Sequence, residues 1–432
     1  MHYLKASHVT RNSNKMIVNR PIYLQKLIES RHNHMIKIIT GVRRCGKSYL
    51  LFILYAEWLK SQGVDDSHII RIDLEDRRNS SLRNPDRLLE YIDGKMVDDA
   101  MYYIMVDEIQ HVAEFEDVLN SYLKIMNADV YVTGSNARFL SKDVITTFRG
   151  RGDEIRVFPL CFREFMSVYS GTKERGLDEY MTFGGMPQIM EYSNVSKKSE
   201  YLKSLFANTY IRDIKERYGL RNDALMDCIL DVISSSIGSL TNPTKLANTL
   251  QSVRHENVSN KTVSTYLEYI CDAFLAERVF RYDVKGREYF DTPYKYYFVD
   301  LGLRNARLNF RQSEPTHAME NVIYNELRVR GYNVDVGVVP VVRRDSEGRQ
   351  SRSQLEIDFV CNLGSKRYYI QSAYRMVDEA KIEQEEASLR RVDDSFKKII
   401  IVGADILVRR SDAGITTMGI YDFLLNPDSL DL

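Results

Sequence analysis

Two periodicities run through this chain, and their order along it suggests how it is built. Residues 35–40, Met35-Ile36-Lys37-Ile38-Ile39-Thr40, form a short, mainly apolar run of the kind that makes a buried strand. Residues 49–55, Tyr49-Leu50-Leu51-Phe52-Ile53-Leu54-Tyr55, read as a helix. Apolar runs at 68–74, 102–108 and 129–136 predict three further strands. Between 225 and 300 the period changes. Leu225, Ile229, Val232, Ile233 and Ile237 recur at helical spacing, and Pro243 marks a second helix carrying Leu246, Ala247 and Leu250. A third helix, with Ser259 as its N-cap, places Val263, Tyr266, Leu267, Ile270, Cys271, Phe274 and Leu275 on one face. Strands at 278–284 and 295–299 flank a Lys285-Gly286 turn, so three helices and a hairpin suggest a winged-helix-like unit. From Thr316 the order becomes helix, strand, strand, strand, helix, strand. The first helix ends near Gly331, and Leu355-Glu356-Ile357-Asp358-Phe359-Val360 alternates as a half-buried strand does.

Length and composition narrow this picture. At 432 residues, two or three domains are expected, and 44% hydrophobic residues suffice for packed cores. Lys+Arg and Asp+Glu both number 60, which argues against a globally basic nucleic-acid binder and leaves a local patch open. The five cysteines, Cys45, Cys161, Cys228, Cys271 and Cys361, include no C-x-x-C pair; this disfavours a zinc site or disulfide framework and suits a reducing cytosol. With no apolar signal core and no run of membrane-spanning length, the expectation is a cytoplasmic protein without membrane contact.

The chemistry is concentrated after the first strand. Gly41-Val42-Arg43-Arg44-Cys45-Gly46-Lys47-Ser48 reads G-x-x-x-x-G-K-S, the phosphate-binding loop of nucleoside triphosphatases. Gly41 and Gly46 let backbone amides wrap a phosphate, and Lys47 brings charge to the β- and γ-phosphates. Ser48 offers a hydroxyl to Mg²⁺, and the helix opening at Tyr49 aims its positive end at the anion. The strand Tyr102-Tyr103-Ile104-Met105-Val106-Asp107-Glu108 ends in two acids, the Walker B pattern. Asp107 is placed to hold Mg²⁺ through water, and Glu108 to polarise the attacking water. The next strand ends in Ser135 and Asn136, candidates for sensing the γ-phosphate or else an ordinary turn. In Phe148-Arg149-Gly150-Arg151-Gly152, either arginine could reach a neighbouring subunit's nucleotide as an arginine finger, which would require a homo-oligomer; common surface arginines are the alternative.

Taken with Val106-Asp107-Glu108-Ile109-Gln110, Thr133-Gly134-Ser135-Asn136-Ala137, Phe158-Pro159-Leu160-Cys161-Phe162-Arg163-Glu164-Phe165, Phe183-Gly184-Gly185-Met186-Pro187 and Tyr282-Asp283-Val284-Lys285-Gly286, the chain resembles prokaryotic AAA-superfamily P-loop ATPases of unknown physiological role. The resemblance covers nearly the whole length. It implies an α/β protein with an AAA-type parallel-sheet domain at 1–160, a helical middle with a winged-helix-like unit at 161–300, and a C-terminal α/β restriction-endonuclease-like domain at 301–432. It also implies ATP and Mg²⁺ as cofactors. Gly184-Gly185-Met186-Pro187 is similar to a glycine–proline element that packs near adenine in related signalling ATPases, with an ordinary turn as the alternative.

DNA is a candidate partner through Asn260, Lys261, Thr262 and Ser264 near the start of the third helix, the place where a recognition helix meets bases or phosphates. The other reading is a module that only transmits nucleotide state. In the nuclease-like domain the resemblance puts a metal-binding acid at Asp358 and a helix carboxylate at Glu320. Where Glu-x-Lys is expected, however, Gln371-Ser372-Ala373 stands. An amide is a poorer Mg²⁺ ligand than a carboxylate, and alanine carries no charge, so nuclease activity is expected to be weak or absent. Glu320, Glu356 and Asp358 then form either a remnant metal site or structural carboxylates.

Overall fold

A computed structural model of the chain describes residues 16–134, 148, 150–220, 222–254, 258–344, 350–376 and 378–432. The chain divides into two compact units, Met1–Pro159 and Leu160–Leu432.

In the first unit five strands, β1 (Ile36–Thr40), β2 (Ile69–Asp73), β3 (Tyr102–Asp107), β4 (Ala128–Thr133) and β5 (Gly152–Arg156), form one sheet in the order β2-β3-β4-β1-β5. Every pairing is parallel. Such a sheet is covered on both faces, and β1 and β3 are accordingly buried along their whole lengths. Ile38, Ile72, Ile104, Val106 and Val132 share a core with Phe115, Leu119 and Tyr122 from the helix Phe115–Tyr122. Because β1 lies between β4 and β5, the strand order reverses beside it. In open parallel sheets ligands bind at such a point, beyond the carboxyl ends of the strands. The predicted helix after β1 forms as a continuous run: Lys47–Tyr49, a π-helical stretch Leu50–Tyr55, and Ala56–Ser61.

Strand β5 escapes the periodicity because Gly-Asp-Glu-Ile-Arg is polar, as an edge strand can be. A Cβ on Gly152 would come within 2.7 Å of the Ile38 side chain.

The second unit opens with helices, including Phe162–Met166, Lys173–Phe183 and Val195–Leu205. The three predicted helices of the middle stretch appear as Asp223–Ser235, Pro243–Arg254 and Asn260–Asp272. Ser259 caps the last, its hydroxyl accepting from the Thr262 N–H. The hairpin follows as β6 (Ala276–Asp283) and β7 (Tyr289–Phe298), and Thr241 bridges to Tyr294 in antiparallel fashion. After the helices Leu301–Arg307 and Pro315–Val329 come β8 (Asn333–Arg344), β9 (Gln350–Leu363) and β10 (Lys366–Ala373). The helix Glu379–Leu389 then leads to β11 (Lys397–Val402), β12 (Arg409–Arg410) and β13 (Ile415–Gly419). All eight strands join one mixed sheet in the order β12-β13-β11-β10-β9-β8-β6-β7, so strands from both sides of residue 300 share it.

Candidate active site

The turn between β1 and the helix opening at Lys47 needs backbone geometry that only some residues supply. Gly41 has φ 134° and Gly46 φ 100°, while Arg44 also sits at positive φ, 67°. At Gly41 space excludes a side chain as well, since a Cβ would lie 2.1 Å from the Val157 carbonyl oxygen. Lys47 is buried and folds back over the loop, donating to the carbonyls of Gly41 (3.0 Å) and Val42 (3.2 Å). Val42 and Cys45 are buried, Arg44 is exposed, and Tyr49 is half-buried in the first helical turn. The Arg43 guanidinium pairs with Glu75 at 2.7 Å, so this loop arginine has an acid partner outside the loop.

Across the sheet, the buried Asp107 ends β3. Ser48 Oγ lies 2.9 and 2.8 Å from its two carboxylate oxygens, and Thr133 Oγ1 donates to the same group. Thr133 Oγ1 also accepts the Glu108 N–H at 3.1 Å, so one hydroxyl at the end of β4 fixes both acids. Burial pushes the Asp107 carboxyl up to about 6, against the lowering effect of the Thr133 and Ser48 hydrogen bonds, with Glu108 and Asp73 adding to the rise. Glu108 takes a left-handed conformation, φ 54°, uncommon for a side-chain-bearing residue and a form of strain that collects at functional sites. The Gln110 amide donates to its carboxylate.

Lys47, Ser48, Asp107 and Glu108 are thus gathered at the carboxyl ends of β1 and β3, where the strand order reverses. A serine hydroxyl against a carboxylate is a hard-oxygen pair suited to Mg²⁺, and a phosphate fits against the glycine-lined loop. Arg151 is not part of this cluster. Its carbonyl accepts the Ile36 N–H at 2.9 Å, which puts it at the amino-terminal end of β1, roughly 13 Å of strand from the loop. Its side chain is exposed. Ser135, Asn136 and Arg149 lie outside the described residues.

Two residues here lie outside the site that the sequence predicts. Thr133 could have been found from register, since Val132 pairs with Val106 and the next residue must flank Asp107. Arg20 could not. It is buried just ahead of the helix Pro21–Glu29, and its guanidinium donates to the carbonyls of Cys45 in the loop (3.0 Å) and Phe158 after β5 (2.6 Å).

The AAA-domain family matches residues 33–166, and a domain of unknown function, DUF8612, matches 174–314. Residues 33–166 therefore carry an AAA-type, P-loop ATPase-like fold. An uncharacterized protein of Haemophilus influenzae is 32% identical over 417 residues, spanning 95% of this chain and 99% of its own. The chain belongs to the same family as that protein. An uncharacterized protein of Methanocaldococcus jannaschii is also similar, 27% identical over 91% of this chain and 89% of that one. Among solved structures, the Aeropyrum pernix ORC2 protein covers 60% of this chain and 84% of its own, at 12% identity and a TM-score of 0.36. The Aeropyrum pernix ORC1 protein in complex with DNA covers 68% and 92%, at 13% identity and a TM-score of 0.28. Both likenesses are too loose to bear on function.

In the second unit the carboxylates expected around Asp358 do meet, but around a lysine. Lys295 of β7 is buried, and its ammonium lies 2.8 Å from Glu320, 2.7 Å from Glu356 and 3.8 Å from Asp358. Tyr297 also donates to Glu320. Asp335 pairs with Val360 and Gly337 with Ile357, so β9 carries one extra residue there, and this bulge turns Asp358 to the side of Phe359. Phe359 in turn meets the rings of Tyr297 and Tyr324. Tyr369 and Ala373 pack with Ile357 and Val360, and alternation puts Gln371 on that same, opposite face. Ser372 donates its N–H to Asp358 at 2.8 Å. Burial, and Glu320 beside it, push the Asp358 carboxyl up to about 8 against the pull of Lys295 and the Ser372 N–H. Burial alone would lower Lys295, but the three acids raise it overall, so it stays charged. Among the described residues no group of three or more His, Cys, Asp or Glu is arranged to hold a metal ion.

The Gly184-Gly185 turn has a local explanation within the second unit. Gly184 has φ 71°, and a Cβ there would lie 2.2 Å from Asp300 Oδ1; the Gly185 N–H donates to the same carboxylate at 2.7 Å. Among the described residues no helix is long and apolar enough to cross a membrane.

Proposed function

We propose that the chain is an Mg²⁺-dependent ATPase of AAA type. The observation that carries this reading is the Ser48 hydroxyl set on both oxygens of Asp107, one strand-end from a loop closed by Lys47. Gly41, Val42, Arg43, Arg44, Cys45, Gly46 and Tyr49 shape the phosphate cradle and its helix. Lys47 leaves its carbonyls for the β- and γ-phosphates, and Ser48 and Asp107 are the ligands offered to Mg²⁺. When bound, the ion would draw negative charge off the phosphate oxygens. Glu108, held by Thr133 and Gln110, orients and deprotonates the attacking water. Ser135 and Asn136 are assigned to the γ-phosphate. Either Arg149 or Arg151 is assigned to a neighbouring copy's site, and for Arg151 only an action in trans suits its place at the far end of β1. Hydrolysis then switches the helical middle (161–300) and the C-terminal domain (301–432) between two arrangements. ATP turnover of the parent, Lys47→Ala and Glu108→Gln tests this; equal rates in all three would sink the mechanism.

A second reading, a nucleotide-controlled DNA-binding switch, is favoured by one arrangement. Three helices, the Thr241 bridge and the β6–β7 hairpin follow in winged-helix order, with Asn260 and Lys261 exposed at the start of the third helix. It requires retention on duplex DNA that weakens steeply with salt. For the restriction-endonuclease-like domain we infer binding or support rather than cutting, because Lys295 neutralises the carboxylates a metal would need. Plasmid incubated with Mg²⁺ or Mn²⁺, with and without ATP, should stay intact.

A further inference from the structure

We propose that Arg20 is a positioning residue for the phosphate loop, holding it in register with the segment by which the chain leaves the first unit. The proposal rests on the ATP-binding reading above. Three contacts join the loop to residues 157–159. Gly41 closes against the Val157 carbonyl, where a Cβ would be 2.1 Å away. The Cys45 thiol lies 3.5 Å from the same oxygen. Arg20 bridges the two sides, one nitrogen on the Cys45 carbonyl at 3.0 Å and another on the Phe158 carbonyl at 2.6 Å, with Pro159 at 3.5 Å. Its guanidinium also lies over the Tyr23 ring at 4.6 Å, and the Tyr23 hydroxyl accepts the Phe158 N–H at 3.1 Å.

The chemistry is specific to arginine. A planar fork reaches carbonyls on opposite sides at once, whereas a lysine ammonium on its single stem serves one place. The carbonyl of Cys45 belongs to the peptide unit whose N–H is that of Gly46, so the bond to Arg20 orients an amide that a phosphate would use. A shift of the loop on taking up phosphate is therefore passed from Cys45 through Arg20 to the backbone at Phe158 and Pro159. Arg20 touches no reacting atom, so its effect belongs in nucleotide affinity and in the order of residues 157–159, more than in the chemical step.

Two measurements test this. In the parent, hydrogen exchange at the Val157 and Phe158 amides should slow on saturation with a non-hydrolysable ATP analogue; no change there overturns the proposal without any substitution. In Arg20→Lys, KM for ATP should rise about ten- to a hundred-fold, the scale of one charge-assisted hydrogen bond. Its kcat at saturating ATP should move much less, and the exchange protection should be lost even at saturation. Parent-like affinity and protection in Arg20→Lys, alongside a Lys47→Ala variant that fails to bind, overturns the Arg20 assignment alone. Failure of the parent itself to bind the analogue overturns the ATP reading beneath it.

Discussion

Replacing Lys295 by methionine should destabilise the second unit in a pH-dependent way. The parent ammonium sits 2.8, 2.7 and 3.8 Å from three carboxylates and is buried together with Glu320 and Asp358. Methionine keeps most of the volume and removes the charge, leaving buried like charges unneutralised; breaking such a pair costs about 3–5 kcal/mol. Protonation limits that cost. In the folded parent Asp358 titrates at about 8, above its unfolded value near ~3.9, so the folded state holds a proton that the unfolded chain releases. This group therefore makes stability fall as pH rises from roughly 4 to 8. Without Lys295 its folded pKa climbs further, and the fall continues past pH 8. Asp358 is protonated in both proteins at pH 6, so the variant's deficit should be smaller there than at pH 9, with roughly 1.4 kcal/mol at stake per pH unit of added shift. Calorimetry should show a drop of about 6–20 °C at pH 9, and hydrogen exchange should speed up along β7 and the helix Pro315–Val329. Adding Glu320→Gln should recover part of the loss, because the two positions share one interaction. If Lys295→Met melts with the parent at both pH values, or the double variant is no better than the single, the cluster is not held by charge neutralisation.

Three other changes probe the first unit. Gly41→Ala sets a Cβ 2.1 Å from the Val157 carbonyl at φ 134°, so binding of a fluorescent ATP analogue should disappear while the melting point falls by only a few degrees, on the order of 1–3 kcal/mol of local strain. Because Asp107 titrates at about 6, Mg²⁺-dependent ATP affinity should weaken below pH 6, by up to about tenfold per unit, and Asp107→Asn should flatten that profile while lowering affinity throughout. Lys37 is fully buried on β1 and pairs with Asp129, while burial lowers its pKa against that acid's pull. Asp129→Ala should thus cost about 3–5 kcal/mol, and Lys37→Met with Asp129→Leu should restore most of it. Denaturant titration followed by fluorescence of Trp58, which stacks on Tyr55 beside this network, reads both.

The legible parts of this molecule are those where a local pattern and a local need coincide. A buried parallel strand must be a near-continuous apolar run, so β1, β3 and β4 announce themselves, and the loop after β1 must carry glycines where its φ values are positive. The edge strand β5 has no such obligation, and Gly152-Asp153-Glu154-Ile155-Arg156 reads as loop until Ile36 through Thr40 pair with it. The polar residues that finish each site were hidden for a different reason: their meaning depends on register between distant segments. Thr133 matters because β4 lies beside β3, and Arg20 because a helix ahead of β1 returns to the exit of β5. Lys295 is the clearest case. A search one strand on from Asp358 finds Gln371 and Ala373, yet the bulge in β9 turns Asp358 to the other side of the sheet, where β7 supplies the cation. The cation that these carboxylates meet is a residue whose only sequence signature is a lysine inside a tyrosine-rich strand. A missing motif residue is therefore evidence about chemistry only after the facing strands have been checked for a replacement. Here the Lys295 ammonium is already paired with Glu320 and Glu356, so the buried acids of this cluster are read together with the cation that β7 brings to them.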